Sequence, residues 1–291
     1  MFNIIEKKKI FFIIPALIIV AGIVAFILHG GFNLGIDFVG GSQINVELGE
    51  EFNEGKIRDA IKLDGVVVSS VTRSGDVSEN GAIITTSELP NDQKVAVQDA
   101  IKAAFANANI ISADNVSASM GADLWSNAAM SIIIAVILML IYITFRFELL
   151  TGLSAVLALI HDVLIMLSIY AIFDLPINTS FIAAILTIFG YSINATIVVF
   201  DRIRENTRFI RKESFAGIAN KSIWQTMARS INTTITTLIT LIVLFFVGVD
   251  SIKEFALPIT VGVVAGFYSS VFVSGNIWVE FKKLAKHKNV A

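Results

Sequence analysis

Six stretches of this chain are apolar over roughly the 20 residues that a helix needs to cross a hydrocarbon core: residues 10–28, 124–145, 151–173, 179–200, 230–249 and 255–279. A chain with that pattern has few folds open to it, because backbone groups in lipid must find their hydrogen bonds within a helix or a closed barrel. The lengths select helices. With 55% hydrophobic and only 16% charged residues, the composition lies on the apolar side of ordinary globular proteins, as an integral membrane protein requires. The first run has a positive flank at Lys7, Lys8 and Lys9, exceeds a signal-peptide core in length and lacks a small-residue cleavage site. It is read as a retained anchor.

Lys and Arg set the expected orientation. They gather before the first run, after the fourth (Arg202, Arg204, Arg208, Arg211, Lys212, Lys221, Arg229) and after the sixth (Lys282, Lys283, Lys286, Lys288), while the short links 174–178 and 250–254 hold only Lys253. Positive loops stay inside, so both termini are expected in the cytoplasm. As solvated charge these loops need no further partner. The formal net charge of -2 gives no sign of nucleic-acid binding, and the absence of cysteine excludes disulfides, thiol nucleophiles and cysteine-ligated metals.

The expected domains are 1–29 (cytoplasmic N-terminus and first helix), 30–123 (an extracytoplasmic domain), 124–281 (helices two to six) and 282–291 (a cytoplasmic basic tail). Within the second, residues 43–48 alternate as a strand does, and 52–63 place Phe52, Ile57, Ala60 and Ile61 at helical spacing. Strands follow at 66–72 and 82–86, with Gly75 and Gly81 marking the turn between them. A helix with Pro90 in its first turn and a stripe of Val97, Ile101, Ala104 and Phe105 leads to a last strand at 110–119. Strand, helix, strand, strand, helix, strand is the split βαβ order. The fold class is therefore a six-helix α-helical membrane protein with one α+β, ferredoxin-like domain between helices one and two.

Several polar groups fall inside the apolar runs. His161 and Asp162 lie about ten residues into the third, near mid-bilayer by helical rise. An aspartate there costs on the order of 3 kcal/mol to insert, so it must be protonated, paired or facing a wet interior. Helix cross-linking and proton handling both fit. As neighbours, the two should point to different helix faces, which argues against a metal site, and none is expected. Residues 190–208, GYSINATIVVFDRIRENTR, carry Asn194 and then break at Asp201 into charge, marking a membrane boundary at Asp201, Arg202 and Arg204. Ser192, Asn194 and Thr196 must face protein, water or an ion. If the fifth helix begins near Trp224, Arg229 and Asn194 lie at similar depth and can meet; snorkelling at the boundary is the simpler role for Arg229. Ser230, Thr233, Thr234 and Thr237 suit interhelical packing, as do Gly262 and Gly266 followed by Tyr268, Ser269 and Ser270. Directly after the first run, residues 33–42 read NLGIDFVGGS, where Gly35, Gly40 and Gly41 allow positive φ or close backbone approach and Asp37 caps a turn. A phosphate cradle is disfavoured there because a strand follows. No catalytic triad, carboxylate dyad or nucleophile elbow is present, and neither enzyme activity nor a cofactor is expected.

The GIDF-x-GG turn, GYSIN running into TIVVFDRIREN, the ARSINTT stretch around Arg229, the His-Asp pair and GVVAGFYSS occur in the order found in the SecF family, which this chain resembles over nearly its whole length. The resemblance implies a resistance-nodulation-division type membrane fold in the bacterial inner membrane, paired with SecD beside the SecYEG channel, with YajC and YidC as further partners. It also implies use of the proton or sodium gradient to draw unfolded preproteins outward. In the family an aspartate on the fourth helix and an arginine on the fifth are implicated in proton movement. The arginine corresponds to Arg229, but Ala195 occupies the aspartate position. Two other functions remain open: a stand-alone exporter of lipids or drugs, and a non-transporting assembly subunit.

Overall fold

The computed structural model describes residues 2–74, 80–209 and 213–288; Gly75, Arg211 and Lys212 lie outside the described residues. The chain divides into two compact units, 34–129 and a larger one made of 1–33 with 130–291.

The smaller unit is built on a four-stranded sheet: β1 (Gly41–Glu47), β2 (Val68–Ser74), β3 (Gly81–Thr86) and β4 (Asn109–Val116), in spatial order β2-β3-β1-β4 with every neighbour antiparallel. With helices α3 (Glu54–Ala60) and α4 (Asn91–Ala104) as the two crossovers, this is the expected ferredoxin-like topology. Alternate residues of β1, Ile44 and Val46, share a buried core with Ile57, Val97, Ile101 and Phe105. The helix over 52–63 is shorter than its apolar spacing suggests, because the Asn53 side chain accepts from the Gly55 N–H at 3.0 Å and starts the helix after Phe52. Pro90 is the N-cap of α4, not a first-turn residue, and Ala104 is exposed.

The GIDF segment is a single helical turn, α2 (Ile36–Val39), with Asp37 in that turn. Gly40 and Gly41 have φ of 76° and 142°, and a Cβ on them would meet Ala118 N at 2.7 Å and Thr86 O at 2.6 Å. Both reasons for glycine therefore apply to that pair. Gly35 keeps an ordinary φ of -65°.

Among the described residues, six helical stretches are long and apolar enough to span a bilayer: α1 (Lys8–Leu28), α5 (Ala118–Arg146), α6 (Leu149–Ile172), α7 (Thr179–Phe209), α8 (Phe215–Val247), and a composite of α9 (Asp250–Tyr268), a π-helical turn (Ser269–Val273) and α10 (Ser274–Lys288). Their ends differ from the apolar runs. α5 begins at Ala118, within the segment assigned to the preceding domain, because small residues continue a helix without being apolar. α7 continues past the charge break at Asp201, and α8 starts fifteen residues before Ser230. These overhangs form a polar helix pair: Asn206 Nδ2 donates to Ser222 Oγ and to Gln225 Oε1, both at 2.8 Å, and Arg202 Nε donates to the same Gln225 oxygen at 2.7 Å. Hydropathy finds where a helix meets lipid, not where it ends.

The small residues are the close-packing points. A Cβ on Gly22 of α1 would collide with Ser168 of α6, one on Gly262 with Ile188, and one on Gly266 with Ser192 at 3.0 Å. Pro15 in α1 cannot donate to the carbonyl of Phe11, and Tyr268 Oη supplies that bond from α9 at 2.7 Å.

Candidate functional site: a buried aspartate and a polar outer face

Asp162 is fully buried at the middle of α6, and the elements around it are arranged to bond it. Ser192 of α7 donates from Oγ to Oδ2 at 2.6 Å, Ser269 of the π-helical turn donates to the same oxygen at 3.0 Å, and His161 Nδ1 shares a 3.0 Å hydrogen bond with Oδ1. The expectation that His161 and Asp162 diverge to separate faces is corrected: one helical step leaves their side chains close enough to bond. The histidine ring is stacked over Tyr268 with centroids 6.2 Å apart, and its Nε2 is buried without a hydrogen-bond partner among the described residues.

A thread of hydroxyls extends from this carboxylate. Ser270 Oγ lies 2.9 Å from Thr196 Oγ1 and within reach of the carbonyls of Gly266 and Ser192, and Ser274 Oγ donates to Ser270 O. All of these residues are buried. The π-helical turn is what makes the thread possible: one extra residue in the turn brings both Ser269 and Ser270 inward between α6 and α7. Hydroxyls rotate and serve as donor or acceptor, so the cluster can satisfy Asp162 in either protonation state. Sequence reasoning singled out Ser192, Thr196, Ser269 and Ser270 as polar or small, but had no way to join them to Asp162. The signal was the need of a mid-bilayer carboxylate for partners, and the positions of those partners depend on a π-helical turn that side-chain periodicity does not announce.

The other site candidates are placed differently. Asn194 and Arg229 both lie along the antiparallel α7/α8 pair, between the Tyr191–Thr234 and Arg202–Gln225 hydrogen bonds. Both are exposed, and neither side chain forms a hydrogen bond or ion pair with the other or with any described residue. Arg229 is well inside α8, because that helix begins at Phe215, not near Trp224. Ala195 is half-buried beside Asn194. Of the polar stripe on α8, Ser230 and Thr234 are buried, Thr233 is exposed and Thr237 half-buried, and the last two donate to carbonyls one turn back, at Arg229 and Thr233. At the charged end, Asp201 faces Arg146 at 3.8 Å, Arg202 pairs with Glu205 at 2.7 Å, and Arg204 donates to the Arg146 carbonyl at 3.2 Å.

Two family descriptions match the chain: the protein export membrane protein SecD/SecF, C-terminal, over residues 96–284, and the SecD/SecF GG motif over residues 25–50. The chain belongs to the SecD/SecF family. A protein translocase subunit SecF from Acidaminococcus fermentans is 39% identical over 98% of this chain and 99% of its own length. The protein translocase subunit SecDF of Thermus thermophilus is 31% identical over 94% of this chain, which spans 38% of that relative. A crystal structure of SecDF from that organism, described as a translocon-associated membrane protein, superposes with a TM-score of 0.87 at 30% identity, covering 97% of this chain and 39% of that one. The GG motif contains the Gly40–Gly41 pair whose conformation the sheet unit requires, and the C-terminal match contains Asp162, Asn194 and Arg229. As a SecD/SecF family member with six apolar spanning helices, the chain is a multi-pass membrane protein.

Proposed function

We propose that this chain is a SecF-type accessory subunit of the Sec protein-export machinery, forming half of a membrane unit that SecD completes, and that Asp162 is the group through which an ion gradient drives it. The observation that carries the reading is a carboxylate at mid-span, out of contact with lipid, bonded to two serines and a histidine on three different elements. Loading a proton onto Oδ1 of Asp162 requires the His161 bond to run from the carboxyl to Nδ1, and loading one onto Oδ2 requires a serine hydroxyl to turn from donor to acceptor. A reversal at Ser192 acts on α7, and one at Ser269 acts on the π-helical turn. A proton suits the site better than sodium, which would have to displace those hydroxyl hydrogens to reach the oxygens.

The outer face of α7 and α8 supports the pairing. An arginine and an asparagine on membrane-spanning helices are costly against acyl chains and normally face protein or a wet cavity. A second six-helix half would cover them, and the T. thermophilus relative named SecDF carries its likeness to this chain within a longer polypeptide. Following the basic-loop rule, both termini lie in the cytoplasm and the sheet unit is extracytoplasmic, joined by α1 and α5 to the helices; the likeness to SecF supports the bacterial inner membrane as the location. SecYEG and unfolded preproteins are the further partners, with YajC and YidC beside them.

The second reading is a non-transporting assembly subunit, favoured by the fact that the same bonds around Asp162 also lock three elements together. Copurification with SecD and the channel tests the pairing. Gradient-dependent preprotein export with Asp162→Asn in an intact complex tests the mechanism. Undiminished export would leave only the assembly role, and failure to copurify with SecD would point to a stand-alone exporter.

A further inference from the structure

Around the ends of α5, α6, α7, α8 and α10 lies a cavity of about 210 Å³ that the transport reading does not use. Three cations line it, Arg204, Arg208 and Lys282, against one carboxylate, Glu148. That carboxylate is already engaged: Lys282 Nζ lies 3.0 Å from Oε1 and donates to Oε2 at 3.2 Å, and the indole N–H of Trp278 donates to Oε1 at 2.9 Å. Arg204 spends one N–H on the Arg146 carbonyl, and Arg208 is exposed with no hydrogen bond or ion pair among the described residues. A guanidinium has five N–H donors, so most of the donors here remain to be used.

The wall between these charges is aromatic. Trp278 is buried against Phe200 and Phe215, with ring centroids 5.0 and 5.2 Å away, Arg204 lies over the Phe147 ring at 5.6 Å, and Lys282 lies over Phe215 at 5.5 Å. Beside Phe147 the surface turns apolar, with Phe145 93% exposed and Leu149 55% exposed at the end of a spanning helix. A soluble anion would use the cations but gain nothing from the aromatic wall or from the apolar rim.

We infer that this cavity binds the phosphodiester headgroup of an anionic phospholipid at the cytoplasmic end of the helices. The phosphate is held by Arg204, Arg208 and Lys282, the ester region lies on the Phe147, Phe215 and Trp278 rings, and the acyl chains run along the Phe145–Leu149 surface. Arginine suits the role because its planar fork pairs with two phosphate oxygens at once. The inference rests on the proposed orientation, with the basic helix ends in the cytoplasm, and it stands whether or not Asp162 carries a proton.

The test uses the full chain in phosphatidylcholine nanodiscs with spin-labelled lipids, comparing the motionally restricted fraction for phosphatidylglycerol with that for phosphatidylcholine. Phosphatidylglycerol should be preferred, and Arg204→Gln or Lys282→Gln should each cut the preference by about fivefold, the usual contribution of one cation near a charged headgroup. Arg208→Gln, an exposed side chain whose loss should leave folding intact, should cut it to a similar degree. Lys9→Gln, at the start of α1 and outside the cavity, should leave it unchanged. Equal restriction of the two lipids, or an equal loss in Lys9→Gln, would overturn the inference. Displacement by an equal concentration of soluble glycerol 1-phosphate would also overturn it, by assigning the cations to a soluble phosphate ester.

Discussion

Asp162 and Arg229 are both charged-type residues inside apolar helices, and the fold treats them in opposite ways. Asp162 is fully buried and bonded on both carboxylate oxygens by residues from α6, α7 and the π-helical turn. Arg229 is exposed and, like Asn194 on the neighbouring helix, has no side-chain partner among the described residues. The first is bonded entirely within this chain; the second, in the proposed pairing with SecD, is covered by the other half. The distinction matters because a buried group can be unsatisfied only at a cost, whereas an outward one is judged by what covers it in the assembled membrane.

The largest effect should come from breaking the inner site. Asp162→Leu strands the Ser192 hydroxyl and the His161 Nδ1 in a buried space, at about 1–3 kcal/mol for each group left unpaired, while the Ser269 hydroxyl keeps the Gly266 carbonyl as acceptor at 3.2 Å. Thermal unfolding of the isolated chain in detergent should therefore fall sharply, and gradient-dependent export should be lost. Asp162→Asn keeps a polar partner for the serines and should retain most of the fold while still losing export. An unchanged melting curve for Asp162→Leu would mean that water, not this cluster, satisfies the carboxylate.

Next come the contacts that bring the inner partners together. Gly262→Val forces methyl groups against Ile188, and overpacking of that kind costs about 1–3 kcal/mol. The same measurement should show a smaller loss for Ser269→Ala, about 1 kcal/mol for one hydrogen bond, because Ser192 still serves Oδ2. If Ser269→Ala were the more damaging of the two, the π-helical turn would depend on that hydroxyl more than on close packing.

Arg229→Leu reverses the pattern and so sharpens the contrast. With no described partner to lose, the isolated chain should change by no more than about 0.5 kcal/mol. Coexpressed with SecD, the same variant should weaken copurification or export. A large loss in the isolated chain would show that Arg229 is satisfied within this half after all, and the two sites would no longer differ in kind.

The inner and outer sites were legible in the sequence to different degrees. The six spans, the split βαβ order and the glycine pair can be read directly, because each rests on a local rule: apolar length, alternation, and a backbone conformation that only glycine tolerates easily. Asp162 can be flagged by depth alone. What depth cannot supply is its partners, since Ser192 and Ser269 come from helices far apart in sequence and the second depends on a π-helical turn. Polarity does not mark a helix end at Asp201 or before Ser230, because a helix pair bonded through Asn206, Gln225 and Arg202 continues without apolar residues. The expected meeting of Asn194 with Arg229 rests on depth, but equal depth does not fix which way a side chain faces.

The smallest effect is expected at Ala195, where the resemblance to the SecF family implies an aspartate. Ala195 lies one turn beyond Ser192 on α7 and is half-buried, so a carboxylate there would lie between the inner cluster and the outer face. If the inner site alone carries the coupling ion, Ala195→Asp should leave gradient-dependent export near the parent level and should not rescue Asp162→Asn. A carboxylate acting with Arg229 would instead raise export, and would do so in the Asp162→Asn background as well. Measuring both variants in the SecD-paired complex separates the two cases, because only the second predicts rescue. Rescue would move the coupling group from the core of this chain to its covered face, and Asp162 would become a structural cross-link between α6, α7 and the π-helical turn.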